Sequence, residues 1–488
     1  HADTGRTYKL HAGRTREKTE GGMQLSKTIG YFCGVNFIIN VIVGSGIFIS
    51  PSGVLEFSCL NAGVALIIWA ACGALSLVGG LCYAELGTSI VSSGGEYSYI
   101  KRGLGSFMAC LLLWVHAIFI LPAGSSIIAL TFSEYASQPF YPDCTAPDLV
   151  KKIVAVVVIL CVAVLNSLSI RYSLHLQNVF TLLKLLALGI ISIVGLVFIA
   201  QGNIRNLKMT FSGEIPTISE IGKAFYHGLW AYGGWNTLNY VEEVKNTSKN
   251  VPRCIITAVP LVIVFYLLVN ISYMAVLTPK EMVSSAAVAV TWANKTIGPF
   301  SWIIPLSVAI STFGSINGSM FLQARLNYAA SKEGHLPAIL SMLHINYLTP
   351  APAIIFSSIL SIIFIIPSNL SLLMIYSGFA SWLMVGLTCI SLIVLRFREP
   401  NLHRPYKVFL PFAFVMAAAS FFLVLSPIIQ EPEVEYIYGV LLMLSGFIFY
   451  IPFVHFKLKF RIFDRITSYI QLLMEVSPPD STSESKTH

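Results

Sequence analysis

The stretch Ile42-Val43-Gly44-Ser45-Gly46-Ile47 lies in the middle of the first apolar run, which extends from Tyr31 to Pro51. Elsewhere that run reads as a membrane-crossing helix. Gly44, Ser45 and Gly46 weaken the helix at its centre and leave no bulk there, and Pro51 is expected to close it. A helix that breaks inside a bilayer must have its freed N–H and C=O groups satisfied by protein, water or a ligand. A second break is written at Trp230-Ala231-Tyr232-Gly233-Gly234-Trp235-Asn236, inside the sixth apolar run. Interrupted spans in corresponding positions of two halves of a chain point to a solute site near the bilayer midplane.

Composition agrees with a chain that lives in lipid. Of the 488 residues, 55% are hydrophobic and 11% charged, against roughly 25% charged in a soluble domain. A water-soluble core could not hide so much apolar surface, so a polytopic, all-α membrane protein is expected. The formal net charge of +8 comes from basic residues scattered among connections, which argues against a nucleic-acid partner. Residues 1–22 are polar and basic, with no apolar core of a secretory signal. Met23 is expected to be the natural start, and these residues carry no fold reading.

Runs of spanning length, about 20 residues, lie near 29–51, 62–86, 106–135, 152–170, 176–200, 223–242, 254–278, 299–328, 351–366, 371–395, 409–429 and 436–456. Twelve spans with both termini cytoplasmic follow from the distribution of lysine and arginine. Seven basic residues fall in the outer connections: Lys151, Lys152, Arg205, Lys208, Lys223, Lys280 and Lys295. Lys184 falls within a span, and the rest lie inside. The chain divides into an inner tail (1–28), a first half (29–200), a second half (223–396), two further spans (409–456) and an inner C-terminal tail (457–488). That tail begins basic and amphipathic and is expected to lie along the lipid of the inner membrane surface.

The candidate binding residues sit at the two breaks. At the first, Ile42, Val43, Gly44, Ser45 and Gly46 expose backbone N–H groups to a carboxylate and C=O groups to an ammonium. The helix that resumes after the break presents its positive end to the anion. Close helix packing is the competing explanation, because small residues also line helix–helix contacts. At the second, Trp230, Gly233, Trp235 and Asn236 offer ring walls, a backbone floor and a side-chain amide, with Trp230 as a candidate lid. Interfacial anchoring is the competing explanation for the tryptophans. His116 and Ser381 are candidates for added polarity. Lys184 lies within the fifth span, where an ionisable group is costly and points to function. A fixed cation there could stand where a sodium-coupled carrier holds Na⁺, and snorkelling toward the inner surface is the other reading.

Most of the nine cysteines lie within or at the inner ends of spans. Cys59 and Cys144 face outward, where disulfides form, and Cys144 could pair with Cys59 or with another chain. No CxxC or His/Cys cluster suggests a metal site, and no cofactor is expected. Asn294-Lys295-Thr296 is a glycosylation sequon on an outer connection. No GxSxG, HExxH, Walker or Rossmann pattern stands where it could work, so an enzyme is a poor reading.

Several longer stretches carry a family resemblance: GSGIFISPSGV (44–54), AELGTSIVSSGGEYSYI (84–100), GLWAYGGWNTLNYVEEV (228–244), SSAAVAVTW (284–292), GSINGSMF (314–321), SKEGHLPAILSMLH (331–344), LTPAPA (348–353) and HRPYKVFLP (403–411). Over nearly the whole chain it resembles the light chains of the heteromeric amino acid transporters, within the amino acid–polyamine–organocation superfamily. The resemblance implies five-plus-five inverted repeats (the LeuT fold) plus two C-terminal helices, and sodium-independent obligatory exchange of amino acids across the plasma membrane. It implies a disulfide from Cys144 to a type II glycoprotein heavy chain, and it places Lys184 at the vacant sodium position. The b(0,+)-type and aspartate/glutamate-type branches are most similar, and both pair with rBAT, which is therefore expected over 4F2hc.

The chain departs from these relatives at the substrate side chain. The b(0,+) type carries an acidic residue at the position of Gly233, and the cystine/glutamate relative carries arginines at those of Leu121 and Ser381. With none of these, an unpaired charge on a substrate side chain would be expensive. Neutral amino acids are expected, with cystine a candidate among them. Aspartate/glutamate exchange and cationic amino acid/cystine exchange are the alternatives, and a non-transporting amino acid sensor or scaffold is the alternative of another class.

Overall fold

The computed structural model describes residues 29–478 apart from 91, 93, 142–143, 145, 169, 204, 208–210, 212–213, 241–243, 348, 368, 431–440, 442–443, 449 and 457–460. The first half contains α1 (Tyr31–Ile42), α2 (Gly46–Phe57), α3 (Ala62–Ser89), α4 (Glu96–Leu104), α5 (Ser106–Val115), α6 (Leu121–Ser137), α7 (Asp148–Leu168) and α8 (Ile170–Ala200). The second contains α9 (Ile218–Ala231), α10 (Thr247–Val276), α11 (Pro279–Ser284), α12 (Val288–Thr296), α13 (Ile303–Lys332), α14 (Ala351–Ile365) and α15 (Leu370–Arg398). α16 (Leu410–Gln430) and α17 (Arg461–Leu473) follow. Among the described residues, six helices are long and apolar enough to cross a membrane, and α1 with α2 forms a seventh span bent by 46°. Part of the expected twelfth span (436–440, 442–443 and 449), the N-terminal tail and part of the C-terminal tail lie outside the described residues.

The first break stands where the glycines put it. α1 stops at Ile42 and α2 starts at Gly46. Pro51, expected to close the span, instead sits inside α2, which continues to Phe57. Proline removes one N–H donor but holds a helical φ, and Tyr135 steadies the segment by donating to the Phe48 carbonyl at 2.9 Å. The sixth span departs the other way, with less helix than the apolar run 223–242 suggests. α9 ends at Ala231, and beyond the break the chain makes a 3-10 turn, Thr237–Tyr240, rather than a second α-helical half. Gly234 adopts φ +116°, a left-handed conformation that glycine tolerates without strain.

Local chemistry sets the other starts. Asn61 accepts from the Val64 amide at 3.1 Å and caps α3. Thr217 with Glu220, and Thr278 with Glu281, form capping boxes for α9 and α11. The outer connection 278–299, expected as a loop, thus holds α11 and α12. Asn294 is exposed on α12.

On the inner side, as the topology is read, Glu85 of α3 accepts from Arg396 of α15 at 2.6 and 2.5 Å and from the Val408 amide at 2.8 Å. Lys101 of α4 pairs with Glu333, and Tyr97 lies 2.6 Å from His335 Nδ1. These contacts tie α4 to the connection after α13. A short ladder joins β1 (Leu343–His344) to β2 (Val476–Ser477), so the segment after α17 is fastened to that same connection.

Candidate functional site

The two breaks touch. Gly46 packs against the Ala231 backbone so closely that a Cβ at position 46 would lie 2.2 Å from the Ala231 Cα. Tyr266 of α10 holds both ends, its hydroxyl lying 3.0 Å from the Ile42 carbonyl and 3.0 Å from the Ala231 carbonyl. One buried phenol, with a single proton to donate, is thereby shared between a freed carbonyl of each interrupted helix. At the start of α2 the Phe48 and Ile49 amides donate to the Ser45 carbonyl at 3.0 and 3.1 Å, which leaves the preceding amides of Ser45, Gly46 and Ile47 as donors for an anion.

A cavity of about 240 Å³ opens between the breaks. Ile42, Gly44, Ser45 and Gly46 line one side, and Trp230, Gly233, Trp235 and Asn236 the other. Ser381 of α15 and His116 also face it. Trp230 Nε1 donates to Ser45 Oγ at 3.4 Å, so the expected lid spans from one break to the other. Trp235 stands edge-on to Tyr83 with ring centroids 4.8 Å apart. Val43, predicted with its neighbours, is not on the wall. It is fully buried, and its carbonyl turns to α13, accepting from Ser311 and Ser315 at 3.3 Å each. The break rotates consecutive residues apart, so not every residue in it faces the ligand.

Lys184 lies behind the first break rather than in the cavity. Its side chain is 1% exposed, and Nζ donates to the Asn40 carbonyl at 2.6 Å and to Ser315 Oγ at 2.8 Å. Of the two sequence readings, snorkelling is therefore the one the structure overturns. The ammonium instead joins α8, α1 and α13 under the break, and Ser315 Oγ in turn reaches the Asn40 carbonyl at 3.1 Å.

Sequence reasoning missed Glu96. It begins α4, and its carboxyl reaches the cavity wall. Oε1 accepts from the Tyr83 hydroxyl at 2.7 Å and from Asn236 Nδ2 at 3.0 Å. Oε2 lies 3.6 Å from His116 Nδ1. His116 opens a π-helical turn, His116–Ile120, in the third span, a distortion that recurs at functional sites. The sequence reading considered an acidic residue at position 233 alone and did not place Glu96 at the cavity. The residue was visible in the quoted Ser-Gly-Gly-Glu-Tyr stretch, but its partner Asn236 is 140 residues away. Burial raises the Glu96 carboxyl above the ordinary carboxylate range, and the hydrogen bonds from Tyr83 and Asn236 partly offset this.

Cys144 is exposed and Cys59 half-buried, and both are free thiols, so the Cys59–Cys144 pairing entertained from the sequence is not formed.

Comparison with known proteins follows from this geometry. The amino acid permease profile matches residues 29–452. Human b(0,+)-type amino acid transporter 1 is 47% identical over 463 residues, covering 94% of this chain and 95% of that one. Mouse solute carrier family 7 member 13 is 41% identical, covering 95% and 97%. Human large neutral amino acids transporter small subunit 2 is 41% identical, covering 94% and 85%. A solved nucleobase-cation-symport-1 family transporter in a closed conformation superposes with a TM-score of 0.53 at 12% identity, covering 86% of this chain and 91% of that one. That likeness speaks to the fold alone.

Proposed function

The chain belongs to the amino acid permease family, and on that premise we propose that it is the light chain of a heteromeric, sodium-independent amino acid exchanger. It moves neutral amino acids, cystine among them, across the plasma membrane by alternating access. The observation that carries this reading is the pair of breaks facing one another across a single cavity, with their backbone ends held by Tyr266.

The roles follow from the chemistry of an amino acid. Its carboxylate and ammonium are common to all substrates, so they belong at invariant backbone: the N–H groups that begin α2 for the carboxylate, and freed carbonyls for the ammonium. Ser45 adds a hydroxyl, and Trp230 closes over the substrate from the facing break. Gly233, Trp235, Asn236 and Ser381 meet the side chain. Lys184 supplies a fixed positive charge beneath the Asn40 carbonyl, where a sodium ion would otherwise be needed, and this supports sodium independence. In this reading residues 29–200 and 223–396 are the inverted repeats, and residues 409–456 complete twelve spans. Both termini are cytoplasmic. The β1–β2 ladder supports that placement, because it holds the C-terminal segment beside the connection after α13. Exposed Cys144 links to a type II heavy chain, rBAT rather than 4F2hc.

A competition panel tests the proposal. Cells coexpressing the chain with rBAT take up labelled leucine, and neutral amino acids and cystine are expected to compete. Uptake inhibited by none of these would refute the assignment. Saturable binding without flux in a reconstituted heterodimer would favour the sensor reading.

A further inference from the structure

Helix α17 (Arg461–Leu473) is tethered near the membrane at both of its ends. Four residues, 457–460, separate it from Phe456, the last residue before the expected end of the twelfth span. A fully extended chain from 456 to 461 covers at most about 18 Å. Beyond α17, the β1–β2 ladder fastens the chain to the connection between α13 and α14, and the Ile345 amide donates to the Glu475 carbonyl at 3.0 Å. That connection joins two helices read as spans, so α17 stays at the membrane surface where they end.

α17 is apolar on two sides, and one of them is covered. Ile470 and Met474 are half-buried, and the helix packs on the turn Ala338–Ser341. Ile466, Tyr469 and Leu473 share the i, i+3, i+7 spacing of a single face, yet they are 48–69% exposed. Leu472, next to them, is 81% exposed. Ile345 and Tyr347, beside the ladder, are also large apolar side chains in the open. Apolar side chains gathered in this way mark an interaction surface.

The charges beside the stripe select what covers it. Residues 457–475 carry Lys457, Lys459, Arg461 and Arg465 against Asp464 and Glu475. Arg465 is exposed and lies seven residues before Leu472, two turns along the same side of the helix. An amphipathic helix whose apolar stripe is bordered by basic residues fits the boundary between acyl chains and acidic headgroups. A soluble protein would compete for this face with lipid that the two tethers keep within reach.

We infer that α17 and the Ile345–Tyr347 segment form a docking surface for the acidic phospholipids of the inner leaflet. The stripe enters the acyl-chain boundary, and Arg465 with its basic neighbours meets the headgroups. The inference rests on the exchanger reading for the inner placement of this face. It goes beyond that reading by giving the C-terminal segment a lipid ligand.

Hydrogen exchange of α17 tests the surface in the complete heterodimer, in nanodiscs that each hold one complex. The discs contain phosphatidylcholine alone or phosphatidylcholine with phosphatidylserine. The α17 amides are expected to exchange at least about tenfold more slowly with phosphatidylserine, and high salt should shrink the difference. Arg465→Gln should reduce the difference severalfold, and Ile466→Ser combined with Leu473→Ser should abolish it. The comparison of the two discs needs no variant, so a variant that fails to assemble leaves the test intact. Equal exchange of wild-type α17 in both discs overturns the lipid surface, as does a difference that survives the double substitution. Slowing that appears only when two complexes share a disc assigns the stripe to a second copy and overturns it as well. Leucine counterflow in proteoliposomes of the same lipids reports the exchanger reading separately. Counterflow with equal α17 exchange removes the lipid surface alone, and slowed α17 exchange without counterflow removes the exchanger reading alone.

Discussion

Replacing Gly46 by alanine adds one methyl group at the point where the two interrupted helices meet. The new Cβ would stand 2.2 Å from the Ala231 Cα and 2.8 Å from its Cβ, whereas ordinary contact begins at 3.4 Å. The nearest obstacle is backbone, so no side-chain rotation relieves it. α2 and α9 must separate by roughly 1 Å to restore normal contact. Overpacking of this kind costs roughly 1–3 kcal/mol. Because the strain falls between the two halves of the site, apparent affinity should weaken roughly ten- to a hundredfold. The loss should be alike for small and large substrates, since the breaks bind what all amino acids share. Concentration dependence of labelled leucine and alanine uptake into proteoliposomes reads this directly. Gly189→Ala is the control, because a Cβ there meets nothing within 4 Å. Gly46→Ala with wild-type affinity for both substrates, while correctly folded, would refute the claim that close approach of the breaks shapes the site.

Two further outcomes are expected. Lys184→Met leaves the Asn40 carbonyl and Ser315 without their charged donor, and exchange should fall at least about tenfold; transport at the wild-type rate in Lys184→Met proteoliposomes would contradict the role given to the ammonium. Cys144→Ser should abolish the high-mass band with the heavy chain on non-reducing gels, and an intact band would place the linkage at another cysteine.

Much of this arrangement is legible in sequence, for reasons that are local. Gly44-Ser45-Gly46 and Gly233-Gly234 announce the breaks through their corresponding positions in the two halves, since small residues alone do not: Gly79-Gly80 lies in α3, which runs unbroken from Ala62 to Ser89. Lys184 announces itself because a charge in lipid must be explained. What could not be read depends on contacts between distant segments. Pro51 reads as a terminator, yet α2 continues through it to Phe57. Tyr266 and Glu96 look like an ordinary span residue and an ordinary loop carboxylate until packing brings them to the breaks. The two-residue strands β1 and β2 are too short for any periodicity to show. Val43 shows the opposite limit: adjacency to a broken helix does not by itself place a residue on the cavity wall.

Counterflow tests the central claim most directly. Proteoliposomes containing the chain and its heavy chain are prepared either loaded with unlabelled leucine or empty, and labelled leucine uptake is followed in sodium-free medium. Two breaks that close around one amino acid and return only when occupied predict rapid uptake into loaded vesicles and almost none into empty ones. Equal uptake into both would contradict obligatory exchange.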